Sequence, residues 1–232
     1  MLIIPVLDIS QGVVVHADCG ERSSYKPIQS SISKDSKPES VLSSFFELYP
    51  FQTIYIADLD SIQGKDSQSK LINNLAFEYK DCQFWLDAGI KQIYNKLDYK
   101  CSNIKFILGT ENNFSLDEYD KLLQNNPELI LSLDFDKNGS MMNSKILNYS
   151  SYWPKKVIIM MLNLIGSNKG IDKFNLEKII KLNRTSELYS AGGIKDISNI
   201  QELTRMNIKG CLISSALHQK KITSNQLKKY DD

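Results

Sequence analysis

Eight short apolar runs, most followed by a polar stretch with helical spacing, recur about every 25 residues along this 232-residue chain. The runs cover residues 2–8, 53–57, 83–86, 105–108, 129–133, 156–162, 187–190 and 211–214. Each is short and β-branched enough to read as a strand buried on both faces. Between them, 70–79, 116–125, 176–182 and 197–206 carry the 3.6-residue spacing of helices, and Ser115 with Glu118 forms a capping box ahead of the second. Strands that alternate with helices predict a parallel sheet. Eight such units without a Pro/Gly/Ser-rich linker predict one domain over 1–232, an α/β fold of the closed (β/α)8 TIM-barrel type. An open, doubly wound sheet is the alternative.

Closure is favoured by an internal echo. Asp8 in Leu7-Asp8-Ile9 and Asp134 in Leu133-Asp134-Phe135 lie 126 positions apart. Leu59-Asp60-Ser61-Ile62 and Leu162-Asn163-Leu164-Ile165 lie 103 apart, Ala88-Gly89-Ile90-Lys91 and Gly192-Gly193-Ile194-Lys195 104, and Leu108-Gly109-Thr110 and Ile213-Ser214-Ser215 105. Three near-equal offsets in one order suggest two fused half-barrels. The larger first offset gives the loop after the first strand about 23 extra residues within 13–39, a length that is usually functional or disordered.

Charge narrows the partners. Lys plus Arg is 28 and Asp plus Glu 27, a net +1 that leaves no overall footprint for nucleic acid. No run approaches the ~20 apolar residues of a membrane span, and the opening run is too short and too interrupted for a signal peptide. Cys19, Cys82, Cys101 and Cys211 are scattered, without disulfide density or metal-ligand spacing. A cytoplasmic protein with neither a nucleic-acid nor a membrane partner is expected. No nucleotide-binding glycine motif occurs, so no cofactor and no metal are expected. His16 and His218 have no neighbouring nucleophile and read as core or surface residues. Trp85 and Trp153 read as packing residues, and the Lys-rich segment after His218 as a solvated final helix.

In (β/α)8 enzymes the chemistry sits at the C-terminal strand ends. Two kinds of residue occur there. Gly192-Gly193 after the seventh run and Ser214-Ser215 after the eighth offer backbone amides that an anion can approach closely, which suits a phosphate. The echo puts a second, weaker candidate at Gly89 and at Gly109-Thr110. Two such places would fit a small substrate with phosphate at both ends. The second kind is Asp8 and Asp134, at diametrically opposed strand ends, a placement suited to a general acid and a general base. Arg22 and Tyr25, in the extended first loop, are candidates to close over the ligand. Asp58, Asp60 and Asp87 read as structural hydrogen-bonding groups. Oligomeric state leaves no trace in the sequence.

Ile4-Pro5-Val6-Leu7-Asp8, Asp58-Leu59-Asp60, Asp87-Ala88-Gly89-Ile90, Leu108-Gly109-Thr110, Leu133-Asp134, Ala191-Gly192-Gly193-Ile194 and Ser214-Ser215-Ala216-Leu217 together resemble the histidine-biosynthesis barrels, ProFAR isomerase and its cyclase relative. The resemblance spans essentially the whole chain. It implies a barrel of two halves with two phosphate sites, and an Amadori rearrangement of an aminoaldose in which the aspartate at Asp8 works as acid or base. The isomerases carry Thr and then Asp-Gly-Thr after the sixth strand. Here Met160 stands at the Thr and Ile165 at the Asp. The stretches 20–27 and Gly166-Ser167-Asn168-Lys169-Gly170 look more like a divergent branch, the isomerase-related proteins of methanogens and methylotrophs. Two readings follow: an isomerase-like enzyme for a small phosphorylated, sugar-derived substrate, or a non-catalytic barrel that binds a phosphorylated ligand or serves in an assembly.

Overall fold

A computed structural model describes residues 1–167 and 169–230, and the counts and absences below refer to these; Asn168 of the last motif lies outside them. The first strand, β1 (Leu2–Ser10), turns back through Gln11 and Gly12 into β2 (Val13–His16), which pairs antiparallel with it. Both turn residues have positive φ, 50° and 76°, the left-handed pair that a two-residue hairpin turn demands. A short β3 (Lys26–Pro27) pairs with β2, so the extended first loop is an ordered hairpin arm. The chain continues through α1 (Pro38–Leu48), β4 (Thr53–Asp58), α2 (Leu59–Ile62), α3 (Ser69–Glu78), β5 (Gln83–Asp87), α4 (Ile90–Tyr94) and β6 (Ile104–Gly109). The second half runs α5 (Leu116–Asn125), β7 (Ile130–Phe135), β8 (Lys156–Met161), α6 (Lys173–Leu182), β9 (Glu187–Ala191), α7 (Ile197–Arg205), β10 (Gly210–Ile213), α8 (Ser215–His218) and α9 (Ser224–Leu227).

Neighbouring strands β1, β4, β5, β6, β7, β8, β9 and β10 pair in parallel, and β10 returns to β1 with Leu2 opposite Gly210 and Pro5 opposite Ile213. The sheet is therefore a closed eight-stranded barrel, an α/β TIM barrel, and the open-sheet alternative falls. All eight predicted strands are present, within two residues at each end.

Alternation along the strands sorts the core. Ile4, Tyr55, Trp85, Ile107, Ile130, Ile158, Tyr189 and Leu212 point inward and fill the barrel, where the Trp85 and Tyr189 rings meet edge to face with centroids 4.8 Å apart. Their strand neighbours Leu7, Ile54, Leu86, Leu131, Ile159 and Ile213 face the surrounding helices. Trp153 belongs to this outer layer and donates its indole N–H to the Ile146 carbonyl at 3.0 Å. His218 is buried against Phe45, with Nδ1 2.9 Å from Ser30 Oγ; burial, with a smaller push from His16, lowers its pKa to about 4.

The predicted capping box is formed, Ser115 Oγ accepting the Glu118 N–H at 3.2 Å and Glu118 Oε2 accepting the Ser115 N–H at 2.9 Å. Ser115→Ala is expected to cost about 1 kcal/mol in chemical denaturation. The tail carries a short final helix, Ser224–Leu227 with a 3-10 turn after it, whose lysines are exposed as read; beyond that reading, the buried Ile222 and Leu227 pin it to the core. After β7 two short 3-10 turns within Ser144–Tyr152, separated by a kink at Tyr149, take the place of an α-helix. No described helix is long and apolar enough to cross a membrane.

Candidate active site

The inward-facing ring just above the apolar core decides what lines the mouth. Register puts Asp8 of β1 beside Ala57 of β4, Ala57 beside Asp87 of β5, and Asp134 of β7 beside Met160 of β8. Met160 in turn lies beside Ala191 of β9, and Ala191 beside Leu212 of β10. Three carboxyl groups thus share a ring with small or apolar side chains, at the floor of a cavity of about 470 Å³.

The carboxyls differ in their surroundings. Asp134 is buried and held on both oxygens, taking hydrogen bonds from Ser132 Oγ (2.6 Å), the Glu111 N–H (3.0 Å) and Thr110 Oγ1 (3.3 Å). Burial, then the charge of Glu111, raise its pKa to about 7 against these bonds. Gly109 makes room for it: a Cβ there would lie 2.9 Å from Asp134 Oδ2. Asp87 accepts from the Gly89 N–H (3.3 Å) and Tyr55 Oη (3.4 Å), and burial, Glu111 and Asp134 raise its pKa strongly. Asp8 is half-buried and takes no hydrogen bond among the described residues. Burial lifts it to about 7, and Arg22 pulls the other way.

Arg22 and Tyr25 arrive from the hairpin arm. Cys19 N–H donates to the Ile165 carbonyl at 3.0 Å, which docks the arm on the loop after β8. Ile165, at the position where the resemblance implies an acid, therefore lines the cavity with an alkyl group and holds the arm through its backbone. Arg22 forms a two-pronged ion pair with Glu111, 2.8 Å to each oxygen. Burial works against the cation, but Glu111 more than offsets it and the Arg22 pKa is raised. Because Glu111 pushes Asp87 and Asp134 upward, Glu111→Gln should lower both. Stability should then fall less steeply between pH 6 and 8 than in the parent, as read by thermal unfolding; an equally steep fall would mean the Glu111 charge is not felt.

Asp8, Asp134, Arg22, Tyr25, Gly192, Gly193, Ser214 and Ser215 all line this one cavity. The amides of Gly192, Gly193, Ser214 and Ser215 donate to no described acceptor. Gly89, Gly109 and Thr110 do not line it. Asp58 and Asp60 are structural as read: Asp58 caps α2 through the Ser61 N–H and Asp60 accepts from Gln11 N–H at 2.6 Å. Asp87 hydrogen-bonds as read, with the Gly89 N–H and Tyr55 Oη, and it also lines the cavity, while Glu111 carried no sequence signal at all. No described group of His, Cys, Asp and Glu has the arrangement of a metal site.

Comparison with known proteins agrees with this architecture. A family model described as "Histidine biosynthesis protein" matches residues 2–223. An uncharacterised protein of Methanocaldococcus jannaschii is 29% identical over 226 residues, 94% of each chain. Two isomerases are named for an imidazole-4-carboxamide substrate carrying a phosphoribosyl and a phosphoribosylamino group. That of Clostridium acetobutylicum is 26% identical over 96% of this chain and 95% of its own, and that of Buchnera aphidicola 24% identical over 96% of each.

Proposed function

This chain belongs to the histidine biosynthesis protein family, and from that premise we propose that it is an acid–base isomerase for a small phosphorylated, sugar-derived substrate. The observation that carries the reading is Asp8, an unpartnered carboxyl near pH 7 in the same cavity as four undonated backbone amides. A phosphate seated on the amides of Gly192, Gly193, Ser214 and Ser215 would anchor the sugar with its reactive carbons over the carboxyl ring. In an aldose–ketose isomerisation a carboxylate removes the C2 proton and its electrons form the C1–C2 double bond. A carboxylic acid meanwhile protonates the carbonyl oxygen. Collapse to the ketose returns a proton to C1 and releases the one on O2, so no redox partner is needed. Asp8 is the base in this scheme, and Asp134, whose raised pKa keeps it partly protonated near neutrality, is the acid or the group that orients the substrate. Met160 and Ile165 add no proton-transfer group of their own.

The alternative, a barrel that binds but does not catalyse, has Met160 and Ile165 in its favour. The opposed acids lining one open cavity weigh more. Incubation in deuterium oxide with a panel of aldose phosphates, including the relatives' substrate, tests the proposal. Exchange at C2 that is lost in Asp8→Asn is the expected result. Absence of exchange across the panel would count for the binding-only reading.

A further inference from the structure

We infer that the ligand of this barrel carries a single phosphate and presents no second anion to the opposite rim. The inference rests on the phosphate reading above and narrows it. The two candidate anion faces, related by the internal echo, differ in their hydrogen-bond states. On the β9–β10 side Gly192, Gly193, Ser214 and Ser215 line the cavity, and their amides donate to no described acceptor.

On the β5–β6 side four backbone donors around Gly89 and Thr110 are taken. The Gly89 N–H goes to Asp87 Oδ1 (3.3 Å), Ile90 N–H to Asn112 Oδ1 (3.2 Å), Thr110 N–H to the Ser132 carbonyl (2.9 Å) and Glu111 N–H to Asp134 Oδ2 (3.0 Å). The Thr110 hydroxyl is spent as well, donating to Asp134 Oδ2 and accepting the Asp134 N–H at 2.7 Å. Asn112 straps the two loops together, its Nδ2 donating to the Gly109 carbonyl at 3.0 Å while its Oδ1 serves Ile90. Beside Gly109 the space is filled too: a Cβ there would lie 2.9 Å from the Asp134 carboxyl.

Charge completes the argument. An anion at this rim would meet Glu111, with Asp87 and Asp134 close enough to feel the same charge, and the nearby guanidinium of Arg22 is already held by both Glu111 oxygens. A second phosphate would have to break these bonds and sit beside carboxylates. The relatives' substrate carries two phosphoribosyl groups by name; the ligand of this cavity would carry one, with a neutral or cationic far end toward Glu111.

Crystals soaked in sodium selenate, located by anomalous scattering, test this without knowledge of the natural ligand. One selenate on Gly192, Gly193, Ser214 and Ser215, and none at Gly89 and Thr110, is expected. A thermal-shift titration with inorganic phosphate should give one saturation curve, weakened at least tenfold by Ser215→Asp. A selenate at Gly89 and Thr110 overturns the single-phosphate inference while leaving the phosphate reading intact. No selenate at either face, with no response to inorganic phosphate, overturns the phosphate reading itself and the inference with it.

Discussion

Asp8→Asn is expected to abolish proton exchange and yet to make the protein more stable at pH 8. An acid whose pKa is higher folded than unfolded binds its proton more tightly in the native state, so stability falls as pH rises between the two values. For Asp8 these are 3.8 and about 7. Below pH 4 both states are largely protonated and the group contributes nothing; above pH 7 the full penalty of a desolvated carboxylate is present. At about 1.36 kcal/mol per pKa unit the difference caps that penalty at about 4 kcal/mol, and the open cavity reduces it to about 2 kcal/mol. Asn has no charge to desolvate, so denaturant unfolding should give the variant about 2 kcal/mol at pH 8 and a gain that shrinks toward zero at pH 4. Loss of the proton-transfer group should lower turnover by about 10²–10⁴-fold. Stability gained where activity is lost is the behaviour of a residue kept for chemistry. A variant destabilised at pH 8 would instead make Asp8 a structural residue.

Gly193→Ala should be the most damaging single-methyl change in the site. Gly193 has φ +81°, and a Cβ there would overlap the Gly170 carbonyl oxygen, a backbone atom that cannot step aside cheaply. Left-handed backbone costs an L-residue about 1–2 kcal/mol, and forcing the overlap adds about as much again, roughly 3 kcal/mol together. Gly12→Ala is the matched control, because Gly12 has φ +76° with nothing within 4 Å of its Cβ position. It should lose only about 1 kcal/mol, the conformational part. Calorimetry on the pair separates backbone strain from crowding, and equal losses would mean that Gly170 moves freely.

Most of the barrel was legible because short apolar runs buried on both faces and strand–helix alternation are local signals. So was the capping box, where Ser115 and Glu118 satisfy each other within one turn. That Asp87 also lines the cavity was missed for want of one further step, the parity of the strands. In β4, Ile54 and Ile56 face the helices while Tyr55 faces the lumen, so Asp58 points outward and becomes a cap. In β5, Phe84 and Leu86 face outward and Trp85 inward, so Asp87 points into the mouth. Counting in twos from Trp85 separates two aspartates that look alike as strand endings.

Glu111 was beyond such counting. It follows β6 in a turn, and its role comes from Arg22, 89 positions away on the hairpin arm. The spent amides of the β5–β6 face were hidden for the same reason: a Gly89 or Thr110 N–H looks available in sequence until its acceptor is known. The hairpin arm showed only as an excess of residues, because its pairing turns on two positive-φ positions, one of them Gln11 rather than Gly. The apolar anchors Ile222 and Leu227 were overshadowed by the lysines around them.

The central claim is that Asp8 exchanges its proton near neutral pH in the cavity where phosphate binds. Titration of its carboxyl by carbon-13 NMR, with and without saturating inorganic phosphate, addresses that claim directly. A midpoint near 7 that moves upward when the anion binds is the predicted result. A midpoint near 4, unmoved by phosphate, would contradict it.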